Sequence, residues 1–156
     1  MISKASKEFY QIDQIIFDAH AKLGFPELSK EVQFDILDNE NFDHIKKLTE
    51  YEEVPVGLLN HYITVDPTEY LNHLRSLDLA TKMDIAKQKD KSADGSYIFK
   101  KNGKWHYIFN ERGSKVSDKK FKTLDALLWH IAYFNLTLYA PKYRKTMSKN
   151  YAQHSV

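Results

Sequence analysis

The N-terminal stretch of the chain spaces its apolar residues at the period of an α-helix. The pattern stops at Gly24, and Pro26 follows shortly after it. Glycine just past the last turn and proline beyond it are typical of a helix C-terminus, so we expect an amphipathic helix over residues 6–23. The apolar residues that define this helix are Phe9, Ile12, Ile16, Ala19 and Leu23.

Shorter helical patterns follow in the N-terminal half. They cover residues 27–37, 42–51 and 55–62, the last with a proline in the first turn, where proline is tolerated. Asp66-Pro67 opens another helix by the same logic. Residues 87–95 lack an apolar anchor, which predicts a mobile linker. The expected buried stripe of the helix that Asp66-Pro67 opens is Tyr70, Leu74, Leu77 and Met83.

After Gly95 the apolar period changes from that of a helix to that of a strand. Two alternating segments, residues 96–101 and 104–110, flank Asn102-Gly103. This dipeptide is the favoured two-residue type I′ turn, so we expect a β-hairpin whose register the turn determines. The register pairs Lys100 with Trp105 and Ile98 with Tyr107 on one face, and Phe99 with His106 and Tyr97 with Ile108 on the other.

The C-terminal part of the chain predicts one long apolar helix. A short third strand is expected over residues 115–117, and Thr123 can cap a helix over residues 124–139. This helix is apolar around most of its circumference, so we expect it to be the central core element. Residues 141–156 are polar and predict a frayed tail. One apolar stripe of the helix consists of Leu124, Leu127, Leu128, Ile131, Phe134 and Leu138, and a second of Trp129, Tyr133 and Leu136.

Together these elements predict a single α+β domain. A helical part over residues 1–86 is followed by a linker over 87–95, by the hairpin and last helix over 96–140, and by a flexible tail over 141–156. We expect the helical half to pack with a β-hairpin or small antiparallel sheet and a final buried helix. The N-terminal helices are expected to cover the second apolar stripe, with a homodimer contact as the alternative.

The composition narrows the class of protein. The chain has 156 residues and no cysteine. Its length suffices to bury a core, and the absence of cysteine excludes disulfides, thiolate nucleophiles and thiolate metal ligands. The first residues lack the continuous apolar run of a signal peptide, and no run approaches the roughly 20 residues of a membrane span. We therefore expect a cytoplasmic protein with no membrane association.

The charges are divided along the chain. Residues 1–80 have 7 Lys+Arg and 15 Asp+Glu, a balance of −8, and residues 81–156 have 16 and 6, a balance of +10. Charge patterning informs association more than it informs fold. Either the charges are spread over solvated faces, or one half of the chain steers a charged partner.

The sequence contains no local signature of catalysis. The glycines are too scattered for a phosphate-cradling loop, and no two histidines have the i, i+4 spacing of a helical zinc site. Acidic pairs such as Glu52 and Glu53 lack the apolar setting of a general acid, and no Gly-x-Ser-x-Gly elbow is present. His130, on a thin polar edge of the last helix, has no nucleophile nearby in sequence. We expect no enzymatic activity, no cofactor and no metal.

The hairpin is the strongest binding signal in the sequence. Lys100, Lys101 and Lys104 lie close to several aromatic residues, among them Trp105. Basic residues interleaved with rings can hold single-stranded nucleic acid. At least one aromatic face must pack against the last helix, however, which leaves less of the hairpin for a ligand. Nucleic-acid binding is therefore the alternative hypothesis.

One segment of the chain resembles a known family. It runs from Tyr97 to Tyr139 and contains Glu111-Arg112-Gly113 and then Phe121-Lys122-Thr123-Leu124-Asp125-Ala126-Leu127-Leu128. This segment, about a quarter of the chain, resembles the C-terminal portion of small immunity proteins from bacterial polymorphic-toxin systems. The resemblance implies a cytoplasmic α+β inhibitor without activity of its own, which binds a cognate protein toxin stoichiometrically.

The charge pattern suggests which residues contact such a partner. An acidic N-terminal half suits the basic substrate cleft of a nuclease toxin, whereas the basic hairpin suits an acidic toxin surface, and we favour the acidic half. For Glu111, Arg112 and Gly113 we favour a structural role in the β-to-α connection over contact with a toxin. The candidate partner-binding residues are Glu50, Glu52, Glu53, Asp66 and Glu69 in the acidic half, and Lys100, Lys101, Lys104 and Trp105 in the hairpin.

Overall fold

The described part of the chain is an α+β structure. A computed structural model describes the backbone of residues 4–79, 95–112 and 114–154, and the side chains of residues 11–79, 95–112 and 114–149. Within these ranges the chain forms seven α-helices and one three-stranded antiparallel sheet. Helices make up the N-terminal half, the sheet follows, and a long helix comes after the sheet. The predicted fold class is confirmed.

The elements follow one another in a simple order. Among the described elements, five helices precede the sheet, and two helices and one 3₁₀ turn follow it. The sheet has the strand order β1-β2-β3, so that neighbours in sequence are neighbours in space. The elements are α1 (Lys4–Lys22), α2 (Lys30–Asn39), α3 (Asp43–Lys46), α4 (Val56–Tyr62), α5 (Pro67–Ser76), β1 (Gly95–Lys101), β2 (Lys104–Glu111), β3 (Ser114–Phe121), α6 (Leu124–Tyr139), the 3₁₀ turn (Pro141–Tyr143) and α7 (Arg144–His154).

Contacts divide the chain into two compact units. Unit 1 consists of Met1–Asp66 and Asn135–Tyr143, and unit 2 of Pro67–Phe134 and Arg144–Val156. The expectation of a single domain stays a prediction. Of the expected linker over residues 87–95, only Gly95 lies within the described residues, and it begins β1.

Helix α1 confirms the predicted helix but not its predicted apolar stripe. Ile16 and His20 are buried, whereas Ile12 and Leu23 are about half exposed. The imidazole of His20 shares a buried hydrogen bond of 2.8 Å with the hydroxyl of Tyr62 on α4. Burial lowers the pKa of His20 and raises that of Tyr62, so both groups are neutral at pH 7. The buried face of α1 therefore includes the polar residue His20, and it differs from the face that the apolar pattern predicted.

A buried glutamine holds the segment after α4 against α2. The side-chain amide of Gln33 donates to the carbonyl of Leu28 at 3.0 Å and to the hydroxyl of Thr64 at 2.9 Å. Its oxygen accepts from the backbone N–H groups of Thr64 at 2.8 Å and Val65 at 2.9 Å. Every hydrogen-bonding valence of this amide is thus used, which removes the cost of burying it.

Helix α3 is much shorter than the sequence predicts. The pattern over residues 42–51 predicts a helix, but α3 covers only Asp43–Lys46. Ile45 is fully buried, and the chain then leaves the helix through a turn in which the N–H of Leu48 donates to the carbonyl of Ile45 at 3.1 Å. The prediction is wrong because three apolar residues at helical spacing also fit one helical turn followed by a loop. Residues 47–55 are consequently a loop.

The predicted hairpin is confirmed with its register. Lys100 pairs with Trp105, Ile98 with Tyr107, Phe99 with His106, and Tyr97 with Ile108. Asn102 and Gly103 have φ values of +54° and +75°, the two positive angles that a type I′ turn requires.

The third strand is longer than the sequence predicts. β3 covers Ser114–Phe121, against an expectation of residues 115–117, and it pairs along β2 with a bulge between Phe109 and Asn110. Its residues are mostly exposed and charged, with only Phe121 buried, so that the strand lacks the apolar alternation that identifies strands from sequence. Lysines on such an edge strand are a common guard against edge-to-edge association.

Helices α5 and α6 supply much of the buried surface of unit 2. Of the predicted stripe, Tyr70 and Leu74 are buried, Leu77 lies after α5 and is half-buried, and Met83 lies outside the described residues; Leu71, which the stripe did not include, is buried as well. Arg75 of α5 donates to both carboxylate oxygens of Asp125, at 2.9 and 3.0 Å, at the start of α6. Both side chains are half exposed, so this bidentate pair contributes modestly to stability.

Helix α6 has the predicted bounds, and Thr123 caps it by accepting from the N–H of Ala126 at 3.0 Å. Its buried face differs from the predicted first stripe, because Phe134 and Leu138 are half exposed. His130 is buried instead of lying on a polar edge, with its ring centroid 5.7 Å from that of Tyr107 and 5.1 Å from that of Phe121. Both rings lie on the same face of the sheet, and α6 packs against it.

The predicted frayed tail is wrong for the described residues after Ala140. They form the 3₁₀ turn and α7, and Met147 is fully buried. The backbone N–H of Lys142 donates to the side chain of Asn60 at 3.0 Å, and its ammonium group donates to the carbonyl of Ile63. One apolar side chain and a few hydrogen bonds therefore anchor a segment whose composition is polar.

No helix within the described ranges has the length and hydropathy needed to cross a membrane.

We expect Gln33→Leu to lower the free energy of unfolding by about 2 to 4 kcal/mol, since it leaves the N–H groups of Thr64 and Val65 without their acceptor. Gln11→Leu on the exposed face of α1 is the matched control and should change stability by no more than about 0.5 kcal/mol. Urea unfolding measures both. A Gln33→Leu variant as stable as the parent would contradict the role of this amide.

His130 should make the fold sensitive to acid. Burial, assisted by the charge of Lys119, lowers the pKa of His130 from 6.5 to about 4 in the folded chain. Between these two pH values the imidazole is protonated in the unfolded chain and neutral in the folded one. The free energy of unfolding is therefore highest above pH 6.5 and decreases as the pH falls towards 4. Between pH 7 and about pH 4.5 this loss amounts to roughly 2 to 3 kcal/mol.

The variant His130→Gln tests this assignment, because its unfolding free energy should fall less between the same two pH values. Carboxylates titrate alike in both proteins, so the difference between the two isolates the imidazole. Identical losses in parent and variant would show that His130 does not titrate between the two states.

Candidate partner-binding surfaces

Helix α1 exposes a second apolar stripe beside its buried face. Ile12, Ile15 and Leu23 are 46%, 51% and 49% exposed. Together with Ala19 they recur at intervals of three and four residues, which places them on one side of the helix. The buried pair Ile16 and His20 lies on the adjoining side. The apolar surface of α1 is therefore wider than the face that is buried in the core.

Three residues of this stripe, Ile15, Ala19 and Leu23, line one wall of an open groove of about 570 Å³ within unit 1. The loop that follows α3 forms the other wall, and the hydroxyl of Thr49, which accepts from the N–H of Tyr51 at 3.3 Å, helps to shape it. Because α3 ends at Lys46, these loop residues are free of a helix and face α1. The lining residues are Ile15, Asp18, Ala19 and Lys22 of α1, Leu23 directly after it, and Leu48, Thr49, Glu50 and Tyr51 of the loop.

Besides its apolar residues, the groove is lined by exposed charged side chains, which we call its rim and of which two in three are acidic. Asp18 and Glu50 are exposed lining residues, and the exposed carboxylates Glu52 and Glu53 follow directly in the chain. Lys22 is the one cation among the lining residues. Unit 1 as a whole has 7 Lys+Arg and 13 Asp+Glu, a net charge of −6. The net charge of the rim is therefore negative, like that of unit 1 as a whole.

The structure brings together only part of the predicted acidic set. Glu50 lines the groove, and Glu52 and Glu53 continue its loop. Asp66 is exposed at the end of unit 1, and Glu69 is a half-buried residue of α5 in unit 2. Neither of these two residues is among those that line the groove.

Sequence reasoning missed the apolar members of the groove, above all Ile15, Leu48 and Tyr51. The adjacent isoleucines Ile15 and Ile16 were the available signal, since neighbours on a helix point about 100° apart and cannot both face the same core. Leu48 and Tyr51 were assigned to a helix that the chain does not form. The loop that they occupy instead could be recognised only from the tertiary structure.

The hairpin lysines form a separate basic surface in unit 2. Lys100, Lys101 and Lys104 are exposed around the turn, and the ammonium group of Lys100 lies 5.9 Å from the ring centroid of the half-buried Trp105. Unit 2 has 16 Lys+Arg and 8 Asp+Glu, a net charge of +8. Tyr97 is buried, and the ring of Phe99 stacks on that of His106 at 4.9 Å. The exposed surface of the hairpin around the turn therefore consists of lysine side chains more than of aromatic rings that are free to stack on a ligand.

Glu111 and Arg112 lie at the connection between β2 and β3, and not in the β-to-α connection for which a structural role was favoured. Glu111 ends β2 and Arg112, with φ of +52°, lies in the turn to β3, so the segment joins two strands and not a strand to a helix. Both residues are exposed, and Gly113 lies outside the described residues. The structural role expected for the three residues stays a prediction.

The described residues offer one histidine–carboxylate pair outside the core. His106 Nδ1 lies 3.1 Å from Asp118, whose other oxygen lies 3.5 Å from the ammonium group of Lys115. Burial raises the pKa of Asp118, but the contacts with His106 and Lys115 outweigh burial and hold this pKa below its ordinary value. The contact between His106 and Asp118 joins the side chains of the neighbouring strands β2 and β3. Within the described side chains, no cluster of three or more histidines and carboxylates could hold a metal ion.

No known protein family, curated protein or solved structure matches the chain. The resemblance of residues 97–139 to immunity proteins therefore has no second line of support from these comparisons. What the chain does must be inferred from the surfaces that its fold presents.

Proposed function

We propose that the protein is a non-catalytic immunity protein, which binds a bacterial protein toxin through the groove of unit 1 and neutralises it. The observation that carries this proposal is the apolar groove with an acidic rim. Three half-exposed aliphatic side chains on one helix face leave apolar surface in water, and a contiguous apolar patch is typical of a binding surface.

The chemistry of the groove favours a protein over other ligands. Ile15, Leu23 and Leu48 can bury an apolar surface of a partner, which supplies affinity. The carboxylates at the rim favour a positively charged partner surface and increase the association rate. A polynucleotide would bring phosphates against Asp18 and Glu50 and would be repelled. A basic protein surface with apolar residues at its centre fits both features.

Under the immunity hypothesis, that basic surface is the substrate cleft of a nuclease toxin. Nucleases bind polyanions, so the cleft of a nuclease toxin is lined with cations. An acidic inhibitor that covers such a cleft blocks its substrate without doing any chemistry. The resemblance of residues 97–139 to immunity proteins agrees with this mode of action, although the groove belongs to the other part of the chain.

The direct test is to look for a toxin domain encoded beside the gene of this protein and, where one is found, to measure its binding to the purified chain. We expect a 1:1 complex and loss of the toxin's activity in that complex. Glu50→Lys, Glu52→Lys and Glu53→Lys combined should slow association about tenfold or more at low ionic strength, because they reverse the charge of the rim.

The matched control reverses three charges on the other surface, through Lys100→Glu, Lys101→Glu and Lys104→Glu. This variant should bind the toxin at the parental rate. The proposal would fail if the purified chain neither bound nor inhibited the neighbouring toxin domain. Equal effects of the two triple variants would argue against the groove as the interface.

Nucleic-acid binding through the hairpin is the second candidate, because exposed lysines cluster there in a unit of net charge +8. Titration of a labelled single-stranded oligonucleotide separates the candidates. We expect only weak binding, since Tyr97 is buried and Trp105 is half-buried. Tight binding that falls by orders of magnitude between about 50 and 200 mM salt, and that the triple lysine variant abolishes, would favour the second candidate.

A further inference from the structure

We infer that the groove of unit 1 receives a basic amphipathic α-helix of its partner protein. The inference rests on the proposed function and deepens it, because it names the kind of partner element that the groove recognises. Its support comes from the length of the exposed stripe, from the elements that form the groove walls and from the sign of the rim charges.

The stripe on α1 has the length of a short helix. From Ile12, three residues before the first lining residue Ile15, to Leu23, the residue directly after α1, the chain advances eleven residues, which at helical rise corresponds to about 16 Å, or three turns. An opposing helix with apolar residues at positions i, i+4, i+7 and i+11 presents a stripe of the same length. Helices that lie in a groove are recognised through anchors at this spacing.

The walls of the groove favour a helical occupant over an extended one. An extended segment leaves its N–H and C=O groups to be paired by the receptor, usually at the edge of a sheet. All described strands belong to unit 2, whereas the groove is lined by side chains of α1 and of the loop after α3. A helix satisfies its own backbone groups and needs only side-chain contacts, which this groove provides.

The rim determines the charge of the occupant. Asp18 and Glu50 line the groove, and the exposed carboxylates Glu52 and Glu53 follow Glu50 in the chain. Lysine or arginine residues beside the apolar stripe of the incoming helix would face these carboxylates. A second copy of this chain would instead bring its own acidic rim against the first, so charge argues against self-association at this face.

A designed peptide of about 15 residues tests the inference with the full-length protein. The peptide carries leucine at the four anchor positions and lysine or arginine at most others, a length at which a helix begins to be stable. One control peptide has the same composition in an order that abolishes the apolar stripe, and another replaces the basic residues by glutamate. Calorimetric titration should show that both controls bind at least about tenfold more weakly, a difference of about 1.4 kcal/mol.

Substitutions in the protein then locate the peptide. Ile15→Glu should weaken binding of the basic peptide at least tenfold, although it adds a negative charge that would attract the peptide elsewhere. Val116→Glu, at an exposed valine on β3 that does not line the groove, adds the same charge and should leave the affinity within about twofold. Both positions are exposed, so the thermal unfolding of both variants should match that of the parent protein.

The outcomes separate this inference from the proposed function. Equal binding of all three peptides, or equal effects of Ile15→Glu and Val116→Glu, would overturn the inference even if the toxin complex formed. A dimer of the chain that Ile15→Glu dissociates would overturn it in favour of a second copy. Selective peptide binding without any toxin complex would retain the helix-binding groove and reject the immunity function.

Discussion

The hydrogen bond between His20 and Tyr62 fixes how α1 is turned about its own axis. It joins two buried side chains at 2.8 Å, and each would be left without that partner if the helix rotated. With His20 and Ile16 directed inward, Ile15 and Leu23 must face the loop after α3. The groove is therefore a consequence of a polar contact in the core, and its apolar surface is what remains of α1 after the core has been formed.

The two units carry opposite charges and offer surfaces of different chemistry. Unit 1 presents an apolar groove with an acidic rim, and unit 2 presents exposed lysines around the turn of a hairpin in which the ring of Phe99 stacks on that of His106. A concave apolar surface favours a partner that can bury side chains, whereas clustered surface lysines favour a polyanion. This difference is the reason for assigning partner recognition to the groove.

Local signals in the sequence predicted much of the fold. Asn102-Gly103 determined the hairpin register, and Thr123 marked the start of α6, because a turn and a cap depend on a few adjacent residues. Rotations of helices about their axes were not predictable, since His20 and His130 are buried through partners distant in sequence. The length of β3 and the helical C-terminus depend on pairing with β2 and on the burial of Met147, which composition does not reveal. Of the candidate site, the acidic residues of the loop were identified and the apolar ones were not.

The central claim is that the chain works through the groove of unit 1. Amide hydrogen exchange of the free protein and of its complex with the toxin tests this claim most directly, because it reports protection along the whole backbone. The account predicts slower exchange in residues 15–23 and 48–53 on binding, with little change in the hairpin over residues 100–105. Protection confined to the hairpin, with the groove exchanging as in the free protein, would contradict it.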